Sequence, residues 1–282
     1  MPFNQLVFAG GGCKVLIHLG IILKLQQLKK MDMITRFSGS SMGGLIAFLL
    51  AINSNIDELY YTLLLDNVLQ LYYILGLDEF YYNFKVKNIL FYLTSIINDN
   101  GILNSNNDKL LNWINIQLTK NKLPINCTFL QLFIITNREL LITGSNLTTH
   151  KCYYFSHRHT PNMIIAKALA ITISYPYLYK ELTIYQNDFS NNIIPNHLPI
   201  TRWLDGGYYE NFPIECFDSY YLPNTTLGIY FITNNRCPEY NKYLKNKYRT
   251  IGIQLTGVNT FTKLNKDIIN YLIIKGYSYQ IE

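Results

Sequence analysis

The chain has 282 residues, of which 49% are hydrophobic and only 15% are charged, and its formal net charge is +6. This composition can form a large buried core and excludes a predominantly disordered chain. Because the basic residues are scattered, the charge modestly favours anionic surfaces such as phospholipid and does not predict nucleic-acid binding.

The five cysteines contain no CxxC pair, which is typical of a reducing compartment rather than of a disulfide framework. The N-terminus lacks the basic segment of a signal peptide, and no apolar run reaches the roughly 18 residues that a membrane span needs. We therefore expect one domain over residues 1–282, located in the cytoplasm, with peripheral contact to a membrane as an option. His150, Cys152, His157 and His159 fit no standard zinc spacing, so we expect no metal and no other cofactor.

The first predicted element is a short buried strand at residues 6–9, which runs directly into three glycines at 10–12. A helix follows, with apolar residues at helical spacing from Val15 to the lysines at 29–30. A second strand at residues 35–38 leads through a glycine-rich turn into an apolar helix. This β-α-β-α order predicts an α/β fold of three layers, α/β/α, around a mostly parallel central sheet.

The triple glycine leaves several interpretations open. A dinucleotide fingerprint would need a further glycine where Val15 stands, although Asp32 lies at a suitable distance to bind a ribose. A P-loop would end in Gly-Lys-Ser/Thr, which is absent. A nest of backbone N–H groups that can hold an oxyanion remains, as does a simple flexible connector.

The turn after the second strand contains Gly39-x-Ser41-x-Gly43, which is the spacing of a nucleophile elbow. The glycines allow a sharp turn that holds Ser41 at the N-terminus of a helix, where developing negative charge is favoured. The same spacing also arises by chance in ordinary strand-to-helix loops. Ser41 is therefore a candidate nucleophile whose partners must be sought elsewhere in the chain.

The middle of the chain offers mainly structural signals. Residues 55–100 are rich in Leu and Tyr at helical spacing, which favours core packing over an interfacial lipid-binding face. Further elements are predicted as an amphipathic helix at 108–118, two strands at 140–146 and 151–155, and a helix from Thr160-Pro161 to Pro176.

A strand at residues 200–204 leads into Asp205-Gly206-Gly207. Asp-Gly-Gly is commonly a hairpin turn, but residues 208–213 do not have the pattern of a returning strand. Asp205 is the acid with the best local context for catalysis. The remaining predicted elements are strands at 227–232 and 250–255 and a closing helix at 265–276.

Together these blocks resemble the patatin-like phospholipase family. Residues 10–14 (Gly-Gly-Gly-Cys-Lys) resemble its glycine-rich oxyanion block, and residues 39–43 match its Gly-x-Ser-x-Gly. Residues 205–207, with Asn-x-Pro at 211–213, match its Asp-Gly-Ala/Gly block. The helix at 166–176 is a looser version of its Ala-Ser-x-Ala-x-Pro segment.

The resemblance implies a Ser–Asp dyad, with Ser41 as nucleophile, Asp205 as base and no histidine between them. It implies oxyanion donors on the backbone N–H groups of Gly10, Gly11, Gly12 and Met42. Residues that support the motifs are Cys13, Lys14, Gly39, Gly43, Gly206 and Gly207.

The implied reaction is attack on a fatty-acyl ester, formation of an acyl-enzyme, and deacylation by water without calcium. The implied substrate is a phospholipid or another acyl lipid, and transfer of the acyl group to a different alcohol is a variant of the same chemistry. An ordinary Asp pKa near 3.9 makes a poor base, so the dyad depends on close contact, low dielectric and strong oxyanion stabilisation.

One position departs from the family pattern, because Val15 stands where the family usually has glycine. If that position required a positive φ or tight helix packing, a β-branched residue would strain the loop. The alternative function is therefore a weak or inactive patatin-like protein that binds lipid or a partner.

Overall fold

The computed structural model describes residues 3–52, 56–57, 59, 107–176, 182–185, 200–232, 238–258, 262 and 264–281. Apart from Ile56, Asp57 and Leu59, the Leu- and Tyr-rich stretch at 55–100 lies outside the described residues. The core packing that was predicted for this stretch therefore falls outside them too. Within the described part of the chain, no helix combines the length and the apolar character needed to cross a bilayer.

The described strands and helices alternate through most of the chain. In chain order they are β1 (Gln5–Phe8), α1 (Val15–Gln27), β2 (Arg36–Gly39), α2 (Met42–Ala51), α3 (Asn107–Lys120), α4 (Phe129–Thr136), β3 (Glu139–Asn146), β4 (Lys151–Ser156), α5 (Ile165–Thr172), β5 (Leu182–Tyr185), β6 (Ile200–Leu204), β7 (Thr226–Ile232), α6 (Pro238–Lys245), β8 (Thr250–Gln254) and α7 (Lys266–Tyr277).

All eight described strands belong to one sheet flanked by helices. The strands β3, β2, β1, β7 and β8 lie side by side in that order and run parallel. β4 and β6 pair with β3 in the antiparallel sense, and β5 extends the sheet antiparallel to β6. The predicted α/β fold with a mostly parallel sheet is confirmed.

The register of β3 explains how two distant loops meet. β4 occupies one edge of β3, so β2 and β6 share the other edge: Gly39 of β2 is opposite Ile142, and Leu204 of β6 is opposite Ser145. β6 is antiparallel to β3 while β2 is parallel, so the two strands point toward each other along this edge. Ile142 and Ser145 are three residues apart, or about 10 Å along the strand. The loops that leave β2 and β6 therefore converge.

The helix after β2 is part of the core. Every residue of α2 is buried, so this helix is apolar all round rather than amphipathic. β1 is likewise buried at all four positions, as expected for a central strand of a parallel sheet that is covered on both faces. The turn between β2 and α2 is thus anchored at both ends by buried elements.

The predicted start of α5 at Thr160 is wrong, because the helix begins at Ile165. The Thr160 hydroxyl instead bonds back to Ser156, and the Met163 N–H donates to the Thr160 carbonyl oxygen in a turn. Ile164 is extended and bridges to Thr128. This tertiary contact prevails over the local Thr-Pro capping signal.

Candidate active site

Ser41 lies at the junction between β2 and α2, in a backbone conformation with φ 52° and ψ −131°. A positive φ is uncommon for a residue other than glycine, and such strain persists only where the surroundings over-determine it. The turn is tight, since a Cβ atom on Gly39 would lie 2.3 Å from the Gly43 carbonyl carbon. The amino acid sequence of the elbow thus folds as a sharp turn that presents Ser41 beside the start of a buried helix.

Asp205 follows the last residue of β6 and faces Ser41 directly. Its Oδ2 accepts a hydrogen bond of 2.6 Å from the Ser41 hydroxyl, and its Oδ1 accepts one of 2.7 Å from the Gly207 N–H. Asp205 is only 3% exposed. The two residues that the sequence singled out, 164 positions apart, are therefore hydrogen-bonded partners.

Burial is the main influence on the Asp205 carboxyl group. It raises the pKa from 3.8 to about 7, although the hydrogen bonds from Ser41 and Gly207 act in the opposite direction. Among the described residues no Lys, Arg or His side chain forms an ion pair or a hydrogen bond with this carboxyl group. A carboxylate with a pKa near neutrality is a much better proton acceptor than an ordinary aspartate.

The glycine loop after β1 lies against the nucleophile. A Cβ atom on Gly10 would lie 2.3 Å from the Asn211 Oδ1 and 3.0 Å from the Ser41 Cβ, so any other residue would crowd both neighbours. The Gly10 N–H donates to the Asn211 carbonyl oxygen at 3.1 Å, and the Asn211 side-chain amide donates to the Gly10 carbonyl oxygen at 3.3 Å. Asn211 therefore ties the glycine loop to the loop that carries Asp205.

The hydrogen bond of the Gly10 N–H changes the set of predicted oxyanion donors. Because the Gly10 N–H is already engaged, we remove Gly10 from that set as a correction. The N–H groups of Gly11, Gly12 and Met42 have no acceptor among the described residues. Met42 is the first residue of α2, where backbone N–H groups have no partner within the helix.

The three residues that follow the glycines, Cys13 to Val15, are all buried. Val15 has φ −50° and ψ −27°, which is ordinary helical backbone, so this position does not require a positive φ. Lys14 is buried, its pKa is lowered by burial, and its Nζ lies 5.4 Å from the centroid of the Phe231 ring. Cys13 is also buried, and burial raises the pKa of its thiol.

The Asp-Gly-Gly block is not a hairpin. Residues Gly206–Tyr208 form one 3-10 turn, and the Asp205 side chain caps it through the Gly207 N–H. No described residue between 208 and 225 belongs to a strand. The block therefore both ends β6 and orients the carboxyl group.

Two residues near the site were missed by sequence reasoning. Thr172, the last residue of α5, accepts a hydrogen bond from the Ser41 N–H at 2.9 Å. His18 of α1 is fully buried between Phe8 and Phe231, and its Nε2 lies 2.9 Å from the Ala9 carbonyl oxygen. Burial lowers the pKa of His18 to about 4, so the ring is neutral. His18 stands in no local pattern that marks it out, whereas Thr172 lies within the segment at 166–176 that resembles a family block but was given no role.

The remaining histidines of the described chain have other contacts. His157 stacks on Phe133, the Nδ1 of His159 lies 2.9 Å from the Ser156 hydroxyl oxygen, and the Nδ1 of His150 lies 3.3 Å from the Tyr209 hydroxyl oxygen. No three His, Cys, Asp or Glu side chains of the described residues are grouped as metal ligands would be.

The fold and the site together define a mixed α/β protein. In its site, the serine of a nucleophile elbow is hydrogen-bonded to a buried aspartate, and a glycine loop lies beside them. The sequence model of the patatin-like phospholipase family matches residues 6–218. The chain belongs to this family.

Two relatives of the chain are viral proteins. The chain is 25% identical over 271 residues to "Probable lipid hydrolase 463L" of Invertebrate iridescent virus 6, covering 95% of this chain and 82% of that protein. It is 28% identical over 234 residues to "Uncharacterized protein R571" of Acanthamoeba polyphaga mimivirus, covering 82% of this chain and 66% of that protein.

Two solved structures share the fold. VipD from Legionella pneumophila matches with a TM-score of 0.58 and 17% identity, over 98% of this chain and 66% of that chain. ExoU of Pseudomonas aeruginosa, in complex with SpcU, matches with a TM-score of 0.55 and 17% identity, over 98% of this chain and 50% of that chain. The chain thus spans between half and two thirds of the length of these neighbours.

Proposed function

We propose that the chain is a lipid acyl hydrolase in which Ser41 is the nucleophile and Asp205 is the general base. The observation that carries the proposal is the 2.6 Å hydrogen bond between the Ser41 hydroxyl and a buried carboxyl group with a raised pKa. Membership of the patatin-like phospholipase family and the name of the iridescent virus relative support an acyl-lipid substrate.

The first half-reaction forms an acyl-enzyme. As the Ser41 Oγ attacks the ester carbonyl carbon, its proton moves to Asp205 Oδ2, and negative charge develops on the former carbonyl oxygen. When the tetrahedral intermediate collapses, the bond to the leaving alcohol breaks and the alcohol takes the proton from Asp205. Asp205 is then ionised again.

The second half-reaction repeats these steps with water as the nucleophile. Asp205 takes a proton from the attacking water, and the Ser41 oxygen leaves and recovers that proton. If an alcohol replaces water, the same steps transfer the acyl group, so the balance between hydrolysis and transfer depends on which acceptor reaches the site.

The oxyanion is stabilised by backbone N–H groups. We assign this role to Gly11, Gly12 and Met42, whose N–H groups have no acceptor among the described residues. The N-terminus of α2 adds a favourable dipole. Since these groups provide the charge stabilisation, the reaction should not need calcium, and EDTA should leave the rate unchanged.

The alternative, a protein that binds lipid without catalysis, rested on strain at Val15. Because Val15 takes ordinary helical angles, the part of that support that depended on a positive φ is gone. The substrate is then an acyl lipid reached by peripheral contact of the protein with a membrane, which the net charge of +6 favours where the lipid is anionic.

The test is labelling by a fluorophosphonate probe together with hydrolysis of a panel of phospholipids, lysophospholipids and triacylglycerols. We expect the wild type to be labelled at Ser41 and Ser41→Ala to lose both labelling and hydrolysis. Ser40→Ala is the matched control, because Ser40 is the buried neighbour in the same turn and its hydroxyl has no hydrogen-bond partner among the described residues. A folded wild type that neither labels nor hydrolyses any of these lipids would contradict the proposal.

A further inference from the structure

Thr172 is a buried side chain that touches the elbow but takes no part in the proposed proton transfers. It is 0% exposed, and its Oγ1 accepts the 2.9 Å hydrogen bond from the Ser41 N–H. Two residues further on, the Ser174 carbonyl oxygen accepts a hydrogen bond of 2.9 Å from the Asp205 N–H. The last residue of α5 and the segment that follows it therefore accept hydrogen bonds from the backbones of both residues of the dyad.

The Ser41 conformation makes the first of these bonds important. With φ 52° and ψ −131°, Ser41 lies outside the helical and extended regions that such a residue prefers. Ser41 precedes the first residue of α2, so its N–H has no acceptor within that helix and needs one from another part of the chain. Ser41 is half-buried, where an N–H without an acceptor is unfavourable, and the hydroxyl of Thr172 accepts its hydrogen bond.

The hydrogen bond between Ser41 and Thr172 also bears on the distance between Ser41 and Asp205. The Ser41 hydroxyl bonds to Asp205, while the backbones of the two residues follow different strands, β2 and β6. The segment from Thr172 to Ser174 accepts a hydrogen bond from each backbone, and it begins at the last residue of α5. Small displacements of a nucleophile from its base can cost large factors in rate.

We propose that Thr172 is a positioning residue: its hydroxyl holds the Ser41 N–H and so keeps the Ser41 Oγ within bonding reach of Asp205. This inference rests on the proposed function, in which Ser41 is the nucleophile.

Three variants test it, with the full chain and a water-soluble p-nitrophenyl ester of a short fatty acid as substrate. Thr172→Val removes the acceptor and keeps the shape, whereas Thr172→Ser keeps the acceptor and removes a methyl group. Thr226→Val is the matched control, since Thr226 is also fully buried and its hydroxyl donates a 2.7 Å bond to Gln5 Oε1 in the paired strand.

We expect Thr172→Val to lower kcat about 10- to 100-fold with KM changed less than about twofold, because binding groups are untouched while the nucleophile is misplaced. Thr172→Ser should stay within about threefold of the wild-type kcat. Thr226→Val should lower the unfolding midpoint and leave kcat unchanged. If Thr172→Val does not fold, Thr172→Ala removes the same acceptor and should show the same loss relative to Thr172→Ser.

A Thr172→Val enzyme with wild-type kcat would overturn the inference. So would equal losses in Thr172→Val and Thr172→Ser, because packing of the methyl group would then be the cause. Failure of the proposed function is distinguishable from both outcomes, since in that case Ser41→Ala would react like the wild type or the wild type would not react.

Discussion

A buried carboxyl group lies at each end of the parallel strands. In the part of the chain that the structure describes, one of them has only neutral hydrogen-bond donors around it, and the other has two arginines. Asp205, beyond the carboxyl end of β2, is 3% exposed and accepts bonds only from neutral donors among the described residues. Glu139, at the start of β3, is 6% exposed and accepts bonds from Arg36, Arg158 and Tyr221.

The pKa values follow from these partners. Burial raises the pKa of Asp205 to about 7 because the hydrogen bonds from two neutral donors, Ser41 and Gly207, offset it only in part. Burial also acts to raise the pKa of Glu139, but the bonds from Tyr221 and the two arginines outweigh it and hold the pKa below its usual range. Burial without a cation thus prepares a carboxylate to accept a proton, while burial with cations makes it a structural ion pair.

The largest effect that would test this comparison is the fall in kcat when Asp205 can no longer act as a base. Asp205→Asn should lower kcat about 1000-fold, because the amide cannot accept the Ser41 proton. Asn preserves the shape and can still accept the Gly207 N–H bond, so the fold should persist. Kinetics with a soluble ester, together with circular dichroism of the same sample, would show both results. A kcat within about tenfold of the wild type would break the proposed role of Asp205.

The counterpart at the other end is Glu139→Gln. We expect it to lower the free energy of unfolding at pH 7 by about 2–3 kcal/mol and to leave kcat unchanged, because two guanidinium groups lose their counter-ion. The lowered pKa of Glu139 means that its stabilisation is present above the unfolded-state pKa and is lost as the pH falls through the folded-state pKa. Urea unfolding of both proteins at pH 7 and at pH 3 should therefore show a difference that shrinks in acid. A stable Glu139→Gln protein with reduced kcat would reverse the assignment.

The link between the two site loops predicts a smaller effect. Asn211→Ala removes the side-chain bond to the Gly10 carbonyl oxygen and should lower kcat about tenfold, because the Gly11 and Gly12 N–H groups lose alignment. Asn265→Ala serves as the control: it removes the cap of α7, so it should lower stability and leave kcat unchanged. Equal kcat values for the two variants would show that the Asn211 side chain does not position the glycine loop.

The smallest expected effect concerns Val15. Val15→Gly restores the usual family residue, yet we expect kcat to stay within about twofold of the wild type, since the native angles are already helical. The unfolding free energy should fall by about 1 kcal/mol or more, because glycine is a poor helix former and a buried side chain is lost. A tenfold rise in kcat would show that valine does impair the loop.

Local patterns were sufficient for most elements and for the two chemical groups of the site. The elbow around Ser41 and the strand before Asp205 were both recognisable, because glycine spacing and buried-strand composition are local properties. α4 was not assigned, although its Thr128–Gln131 capping box was present in the sequence.

Contacts that depend on strand direction could not be predicted in the same way. Nothing in residues 200–204 shows that β6 runs antiparallel to β3 and so faces β2, and this direction is what brings Asp205 to Ser41. The bonds from Asn211 to Gly10 and from Ser41 to Thr172 likewise join distant segments. The single-domain and cytoplasmic predictions remain predictions.

The most direct test of the account is the pH dependence of kcat/KM for a neutral soluble ester, since this quantity reports the ionisation of the free enzyme. Because Asp205 acts as a base and its pKa is raised to about 7, kcat/KM should rise with pH, reach half its maximum near pH 7 and stay level above. Asp205→Asn should lack this rise. A wild-type profile that is flat from pH 5 to 9, or that reaches half its maximum near pH 4, would contradict the proposed dyad.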